Sequence, residues 1–402
     1  MLFGVRPTPR IAVAGRSDRQ TLPCASMTCI LGIETSCDET AAAVVDGDLV
    51  VRSSVVASQY ELHAEYGGVV PEIASRAHLE RILPVVRTAL AESGVALSEI
   101  DAVAVGIRPG LIGSLLVGAS TAKALAWSLG KPFHAVDHVA AHLSAGLLRA
   151  RDSSDEAAAC EKRGALRQAL GQALGLVVSG GHTSLFRLEG AGGATLLGRT
   201  IDDAIGEAFD KAANMLGLPH PGGPNLERAA EGGDPSRLRT TLPRLGNPLD
   251  FSFSGVKTKL LYEIRGVPQG RGAQATFARG VGDLDAGRRA DLAASFQRAA
   301  IAQVIDRLDA AADRESPRAL FAGGGVVANR TLRTELAAWS ARRGIALVVP
   351  EPCYCGDNAA MIAGHAALLR AESPGGAAGD DLSVPAEPVS MLARGALPKR
   401  VH

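Results

Sequence analysis

Two well-separated stretches of this chain repeat one local design, and that repeat restricts the fold more than any other feature. Leu31-Gly-Ile-Glu-Thr-Ser-Cys-Asp-Glu-Thr40 leads into the apolar run Ala41 to Val45 and the turn Asp46-Gly47-Asp48. Leu174-Gly-Leu-Val-Val-Ser-Gly-Gly-His-Thr183 leads into Ser184-Leu-Phe186. Each reads as an apolar strand, a turn of small and polar residues, and a returning strand. Backbone amides in such a turn can surround phosphate oxygens, and glycine lets the main chain come close. The duplication predicts two related lobes facing one nucleotide. The plainer alternative is two unrelated hairpins.

The chain has 402 residues, enough for two lobes with separate cores. Lys+Arg and Asp+Glu are both 42, so the formal charge is zero. That balance disfavours unaided binding of nucleic acid by charge, although it leaves room for a local basic groove. Aromatic residues at 4% argue against a stacking platform for single strands. The most apolar segment, Pro109 to Ala122, is flanked by Arg108 and Lys123 and is rich in Gly and Ser. It falls short of the about 20 apolar residues a spanning helix needs, so no membrane segment is expected. The cysteines (Cys24, Cys29, Cys37, Cys160, Cys353, Cys355) form no disulfide framework in so long a chain and read as free thiols in a reducing cytosol.

Residues 1–28 carry several Arg and reach Met27 just before the strand-like Cys29–Ile33. A disordered leader, or an upstream start with Met27 as the true one, is preferred to a targeting extension. Arg151 to Gln172, charged and Ala-rich with room for a short helix, and Arg265 to Arg289 read as surface insertions, and the lobes should meet near the first. Residues 371–402, rich in Pro, Gly, Ala and Asp, read as a disordered tail. The expected layout is a first lobe over 29–145, completed by roughly 350–370, and a second over 173–349.

Several motifs carry possible chemistry. Ala319 to Arg330 runs from an apolar strand through Gly323, Gly324 and Gly325 to a helix-like Thr331–Ala338, a seat for a ligand at a helix start. It is neither the spaced dinucleotide motif nor a Walker A loop. His138 and His142 lie four apart, on one face of a helix, and could share a metal; two ordinary histidines are the alternative. Val139 stands where a zinc protease needs its Glu. Asp357 could complete a metal site or simply cap the helix from Asn358 to Arg370. Asp203, Glu207 and Asp210 share a helical face before the rigid turn Pro221 to Pro224; one could hold a ribose, or all could be a solvated face paired with Lys211. Ser252, Ser254, Lys257 and Lys259 could meet a phosphate backbone or form a capped helix with a basic face.

Together these segments closely resemble the TsaD family of tRNA N6-adenosine threonylcarbamoyltransferases, once labelled O-sialoglycoprotein endopeptidases, in its bacterial form. The matching stretches are GIETSCDET (Gly32 to Thr40), HAEYGGVVPEIASRAH (His63 to His78), VSGGHTSL (Val178 to Leu185), DDAIGEAFDKAANMLGLPHPGGP (Asp202 to Pro224), DFSFSGVKT (Asp250 to Thr258), GGGVVANRTLR (Gly323 to Arg333) and CGDNAAMIA (Cys355 to Ala363). They run in the family's order.

The resemblance implies an α/β, two-lobed ASKHA fold, that of actin, heat-shock chaperones and sugar kinases, with a duplicated mixed-sheet core. It implies transfer of the threonylcarbamoyl group from L-threonylcarbamoyladenylate to N6 of the adenosine 3′ of the anticodon, in tRNAs reading ANN codons, with release of AMP. By position, His138, His142 and Asp357 match the ligands of one divalent metal, iron or alternatively zinc. Val177, Val178, Ser179, Gly180 and Gly181 match the loop around the phosphate; Asp210 and Gly223, with Glu227 nearby, match the ribose site; Asn329 matches the adenine end. Asp38 and Glu39 match acidic residues near the reaction centre. Many bacterial members have Glu-Gly before the second His, where this chain has Ala140-Ala141. Implied partners are tRNA, a TsaB-like paralogue, a TsaE-like ATPase and a TsaC-like enzyme that makes the intermediate, all in the cytoplasm. The rival readings are an ASKHA small-molecule kinase, a metalloprotease and an ATP-driven scaffold.

Overall fold

The computed structural model describes residues 28–66, 68–151, 164–270, 277–280, 282, 284–372 and 379–394. Cys29–Glu34 (β1) and Glu39–Asp46 (β2) pair antiparallel, with Cys29 opposite Asp46 and Glu34 opposite Ala41. Val50–Ser58 (β3) continues antiparallel from β2. On the other side of β1, Ala102–Arg108 (β4) and then Phe133–Asp137 (β5) add in parallel. The short Arg149–Ala150 (β6) joins β3, giving the order β5-β4-β1-β2-β3-β6.

The second sheet repeats the scheme. Ala173–Val178 (β7), Thr183–Leu188 (β8) and Ala194–Arg199 (β9) form an antiparallel meander. Ala319–Gly323 (β10) and Ala346–Val348 (β11) add in parallel beside β7, giving β11-β10-β7-β8-β9. The two hairpins are therefore the equivalent centres of two mixed sheets, and the expected two-lobed α/β class is the one observed.

The longer helices are Pro71–Ser93 (α1), Ile112–Leu129 (α2), His138–Ser144 (α3), Ile205–Met215 (α4), Gly222–Ala229 (α5), Ser254–Arg265 (α6), Ala286–Glu315 (α7), Arg330–Arg343 (α8) and Ala359–Glu372 (α9). They cover both faces of both sheets, which is why β1, β4, β7 and β10 read as unbroken apolar runs. Side chains alternate between faces. Leu31, Ile33, Ala42 and Val44 pack outward against Ile82, Val86, Ala119 and Ala122 of α1 and α2. Ile30, Ala41 and Ala43 pack inward with Val177, Phe186 and Phe321 around Ala359, Met361, Ala363 and Ala367 of α9. Leu174, Leu176 and Val178 face a third core with Phe209, Phe251, Phe296 and Trp339. Each fully buried Leu, Ile, Val or Phe contributes roughly 1.5–3 kcal/mol.

Helices α3 and α9 thus form a middle layer. Its thinness depends on Gly32, where an added Cβ would sit 2.4 Å from the Ala359 carbonyl oxygen. The alanines of α9 permit the same close approach from the other side. By length and hydropathy α2 is apolar enough to cross a bilayer, but here Leu115, Ala119, Ala122 and Ala126 are buried in the protein.

The structure departs from expectation in the C-terminal segment. Residues 1–27, 152–163, 271–276 and 395–402, where parts of the leader, insertions and tail fall, lie outside the described residues. Residues 164–172 are helical and bury Leu170 just before β7. The expected absence of structure after Arg370 does not hold over 379–394. Asp380 binds Phe133 and Ala135 of β5, and Met391–Arg394 forms a short helix (α10). Polar composition hid this, because these contacts use backbone groups and short polar side chains.

His365 of α9 lies fully inside the middle layer, with Nδ1 3.0 Å from Ser144 Oγ. Burial pushes its pKa down to about 4. It stays neutral when folded but protonates when unfolded, so its stabilisation is complete above about pH 6.5 and is lost as pH falls towards 4. The loss is on the order of 3 kcal/mol. In urea titrations, His365→Asn is expected to flatten the decline in stability between pH 6.5 and 4; an unchanged slope would refute this assignment.

Candidate active site

The hairpin turns point into one cleft between the sheets, where a cavity of about 750 Å³ opens. Its wall includes Ser36, Cys37 and Asp38 from the first turn and Ser179, Gly180, Gly181 and His182 from the second. His138 and Asp357 line its floor; Asp210, Asn214 and His220 line the side of the second sheet. The Tyr60 hydroxyl donates to the His220 carbonyl at 2.9 Å, and the two rings stack at 5.2 Å across the cleft.

The middle layer supplies the most polar corner. Asp137 ends β5 and caps α3, its Oδ1 accepting from the Val139 and Ala140 amides at 3.0 and 3.3 Å. The next turns of α3 carry His138 and His142 to the same side. Their Nε2 atoms lie 3.4 and 3.2 Å from Asp357 Oδ1. Asp357 is free to reach them because the expected cap role falls to its neighbour: Asn358 Oδ1 accepts from the Met361 amide at 3.0 Å. One ligand atom from each of the three residues lies within 4.8 Å of the others. Two imidazoles and a carboxylate are a donor set that fits a divalent cation.

Glu34, fully buried at the end of β1, accepts from His138 Nδ1 at 2.9 Å. A carboxylate behind a ligand histidine fixes its tautomer and ring orientation. His142 Nδ1 is buried with no partner among the described residues. Packing holds that ring's backbone instead: a Cβ at Gly323 would sit 2.0 Å from the His142 carbonyl oxygen.

The charges are strongly coupled to burial. Burial opposes the charge on His138, but the carboxylates of Asp357 and Glu34 outweigh it and raise its pKa well above the usual value. Burial also opposes ionisation of Asp357, yet His138 and then His142 hold it well below the carboxylate range. His142 is pushed down by burial and by the His138 charge. His182 falls to about 4, through burial and then through the same two histidines.

Among the other residues expected to act, Ser179, Gly180, Gly181, Asp210 and Asp38 face the cavity. Val177 and Val178 do not, since their side chains fill the cores on opposite faces of β7. Glu39 starts β2, accepts from Ser58 Oγ at 3.4 Å and is not in the cavity wall. Burial, then the Asp38 and Asp357 charges, push its pKa up to about 9. The Gly223 amide donates to Asp210 Oδ1 at 3.2 Å. Glu227 accepts from the Arg330 amide at 2.7 Å, and Asn329 caps α8 through the Leu332 amide at 2.9 Å. Both are bound structurally and neither lines the cavity. Asp203 is taken up by Lys211 and Lys257, which removes Lys257 as a free phosphate contact. Lys259 is bound to the Arg239 carbonyl. Glu34, Ser36, Tyr60, His182 and His220 received no individual role from the sequence; the signal available for Glu34 was an acid closing an apolar strand.

Two matched sheets whose hairpin turns face a common cleft define a two-lobed, ASKHA-type protein. HypF from T. kodakarensis has this fold, with a TM-score of 0.52 and 14% identity over 86% of this chain and 48% of that one. The sequence profile of TsaD, tRNA N6-adenosine threonylcarbamoyltransferase, matches residues 50–364. A protein of that name from Symbiobacterium thermophilum is 49% identical over 83% of this chain and 89% of its own length. Another from Trichlorobacter lovleyi is 46% identical with the same coverage. The chain belongs to the TsaD family of transferases.

Because Gly323 lets β10 touch the backbone of α3, Gly323→Ala is expected to lower the thermal unfolding midpoint, by overpacking of roughly 1–3 kcal/mol. Calorimetry checks this, and an unchanged midpoint would show that the contact relaxes freely.

Proposed function

We propose that this protein transfers the threonylcarbamoyl group from L-threonylcarbamoyladenylate to N6 of the adenosine 3′ of the anticodon in tRNAs reading ANN codons. The observation that carries this reading is the make-up of the cleft cavity. It joins a glycine turn, the Asp210 carboxylate and the His138–Asp357 corner in a member of this family.

The donor is already an activated mixed anhydride. A bond forms from N6 to the carbamoyl carbon, the carbon–oxygen bond to phosphate breaks, and AMP leaves with the electron pair. The exocyclic amine is a poor nucleophile, so orientation and charge stabilisation dominate. The Gly180 and Gly181 amides carry no hydrogen bond among the described residues, and both glycines have open space where a side chain would stand. They would receive the phosphate as it departs. Asp210, held by the Gly223 amide, would accept from the ribose hydroxyls. Asp38, in the wall, is placed better than Glu39 to take the amine proton. His138, His142 and Asp357 would hold one divalent ion, iron or alternatively zinc, which when bound supplies Lewis-acid polarisation.

The rival readings fit less well. A small-molecule kinase would use the same turns but has no need of the His138–His142–Asp357 corner. The protease reading lacks its base, since Val139 occupies that position. The two sheets, with their helices, would act as the two lobes. The balanced charge favours help in gripping tRNA, from a TsaB-like paralogue and a TsaE-like ATPase, with a TsaC-like enzyme supplying the adenylate in the cytoplasm.

The test is incorporation of labelled threonine into unmodified tRNA by this protein, bicarbonate, ATP and an adenylate-forming enzyme, with and without the bacterial partners. Label that depends on this chain is expected. No label with partners and added iron or zinc would move the assignment to a kinase or scaffold. His138→Ala is expected to abolish transfer and metal retention while circular dichroism stays unchanged; a folded, metal-free variant with full activity would defeat the metal reading.

A further inference from the structure

The segment 379–394 lies beyond the stretch matched to the family profile, yet it reaches the site. Its path is fixed at successive points along the first sheet. The Asp380 amide donates to Phe133 O at 2.7 Å, and its carboxylate accepts from the Ala135 amide at 2.7 Å. Lys123 Nζ donates to the Val384 carbonyl at 2.6 Å. The Glu387 amide donates to Ile107 O at 3.0 Å, with its carboxylate 3.8 Å from Arg108. Pro388 then enters the wall of the large cavity.

Two residues later the segment meets the helix of the histidines. Ser390 is buried and its Oγ donates to Asp137 Oδ2 at 2.7 Å. The Met391 amide donates to the same oxygen at 3.0 Å. The other oxygen of this carboxylate holds the Val139 and Ala140 amides. One carboxylate therefore joins the C-terminal segment to the first turn of α3. That helix has seven residues, too few to be stable by itself; packing buries most of it, and the Asp137 carboxylate fixes its first turn. With Oδ2 released, the carboxylate can rotate and the cap loosens, and His138 is the first residue beyond it.

We propose that Ser390 is a positioning residue of the site: through Asp137 it fixes the start of α3 and so the placement of His138 and His142. Only the activity arm of its test rests on the transferase reading.

The experiment compares full-length wild type, Ser390→Ala and Ser390→Thr by three readouts: amide hydrogen exchange of α3 in metal-free protein, Co(II) affinity by visible absorption, and kcat and KM for the adenylate. Ser390→Ala is expected to speed exchange at Val139 and Ala140 and weaken Co(II) binding about tenfold. It is also expected to lower kcat about tenfold while KM is unchanged. Ser390→Thr, which keeps the hydroxyl, should restore all three. Unchanged exchange and Co(II) affinity in Ser390→Ala would overturn the proposal. So would equal loss in the Thr and Ala variants, which would make Ser390 a packing residue only. If Ser390→Ala does not fold, Met391→Pro removes only the second donor to Asp137 and tests the same link by exchange and Co(II) binding. Wild type without transferase activity would refute the function while the exchange and Co(II) arms still decide the positioning role.

Discussion

The contact that organises this molecule is the seating of α9 between two sheets. Gly32 and the alanines of α9 let the helix backbone come against β1, and Phe186 and Phe321 close on it from the second sheet. A layer so thin tolerates few polar side chains along its length. Beyond the His365–Ser144 pair, its buried polar groups gather at its open end, where α3 and the start of α9 meet the cleft. The position of the site is therefore set by where the apolar layer stops.

That end of the layer is also an electrostatic trap. Glu34 is wholly buried and Asp357 is a quarter exposed, with His138 between them. A buried carboxylate is costly unless paired and hydrogen-bonded. His138 serves both partners at once, and nearby Glu39 is shifted upward first by burial and then by the Asp38 and Asp357 charges. The positive charge at this corner is that of His138. A dication among the three donors would add to it.

Much of this was legible from local chemistry. The apolar runs around Gly32 and Gly175 announce strands, and the small polar turns announce hairpins. The spacing of His138 and His142 puts them on one helical face wherever that helix lies. Other residues lie away from the cavity wall for a common reason. Glu227 and Asn329 are polar residues beside glycine-rich turns, and their side chains accept from the Arg330 and Leu332 amides. Val177 and Val178 lead into a turn expected to hold phosphate, yet a strand must bury its side chains whatever its turn binds. Asp357 and Asn358 are equally good caps on paper; only the direction of the incoming chain gives the cap to Asn358 and the histidines to Asp357.

The sequence by itself determined the elements, the duplicated hairpin and the family, because these rest on local periodicity and on ordered motifs. It also determined which residue types could bind metal or phosphate. Tertiary structure alone decided that Glu34 stands behind His138, that Asp38 and not Glu39 faces the cavity, and that a polar C-terminal segment braces Asp137. Each depends on two segments far apart in the chain meeting within hydrogen-bond distance. Local pattern carries no information about such a meeting until the layers have packed.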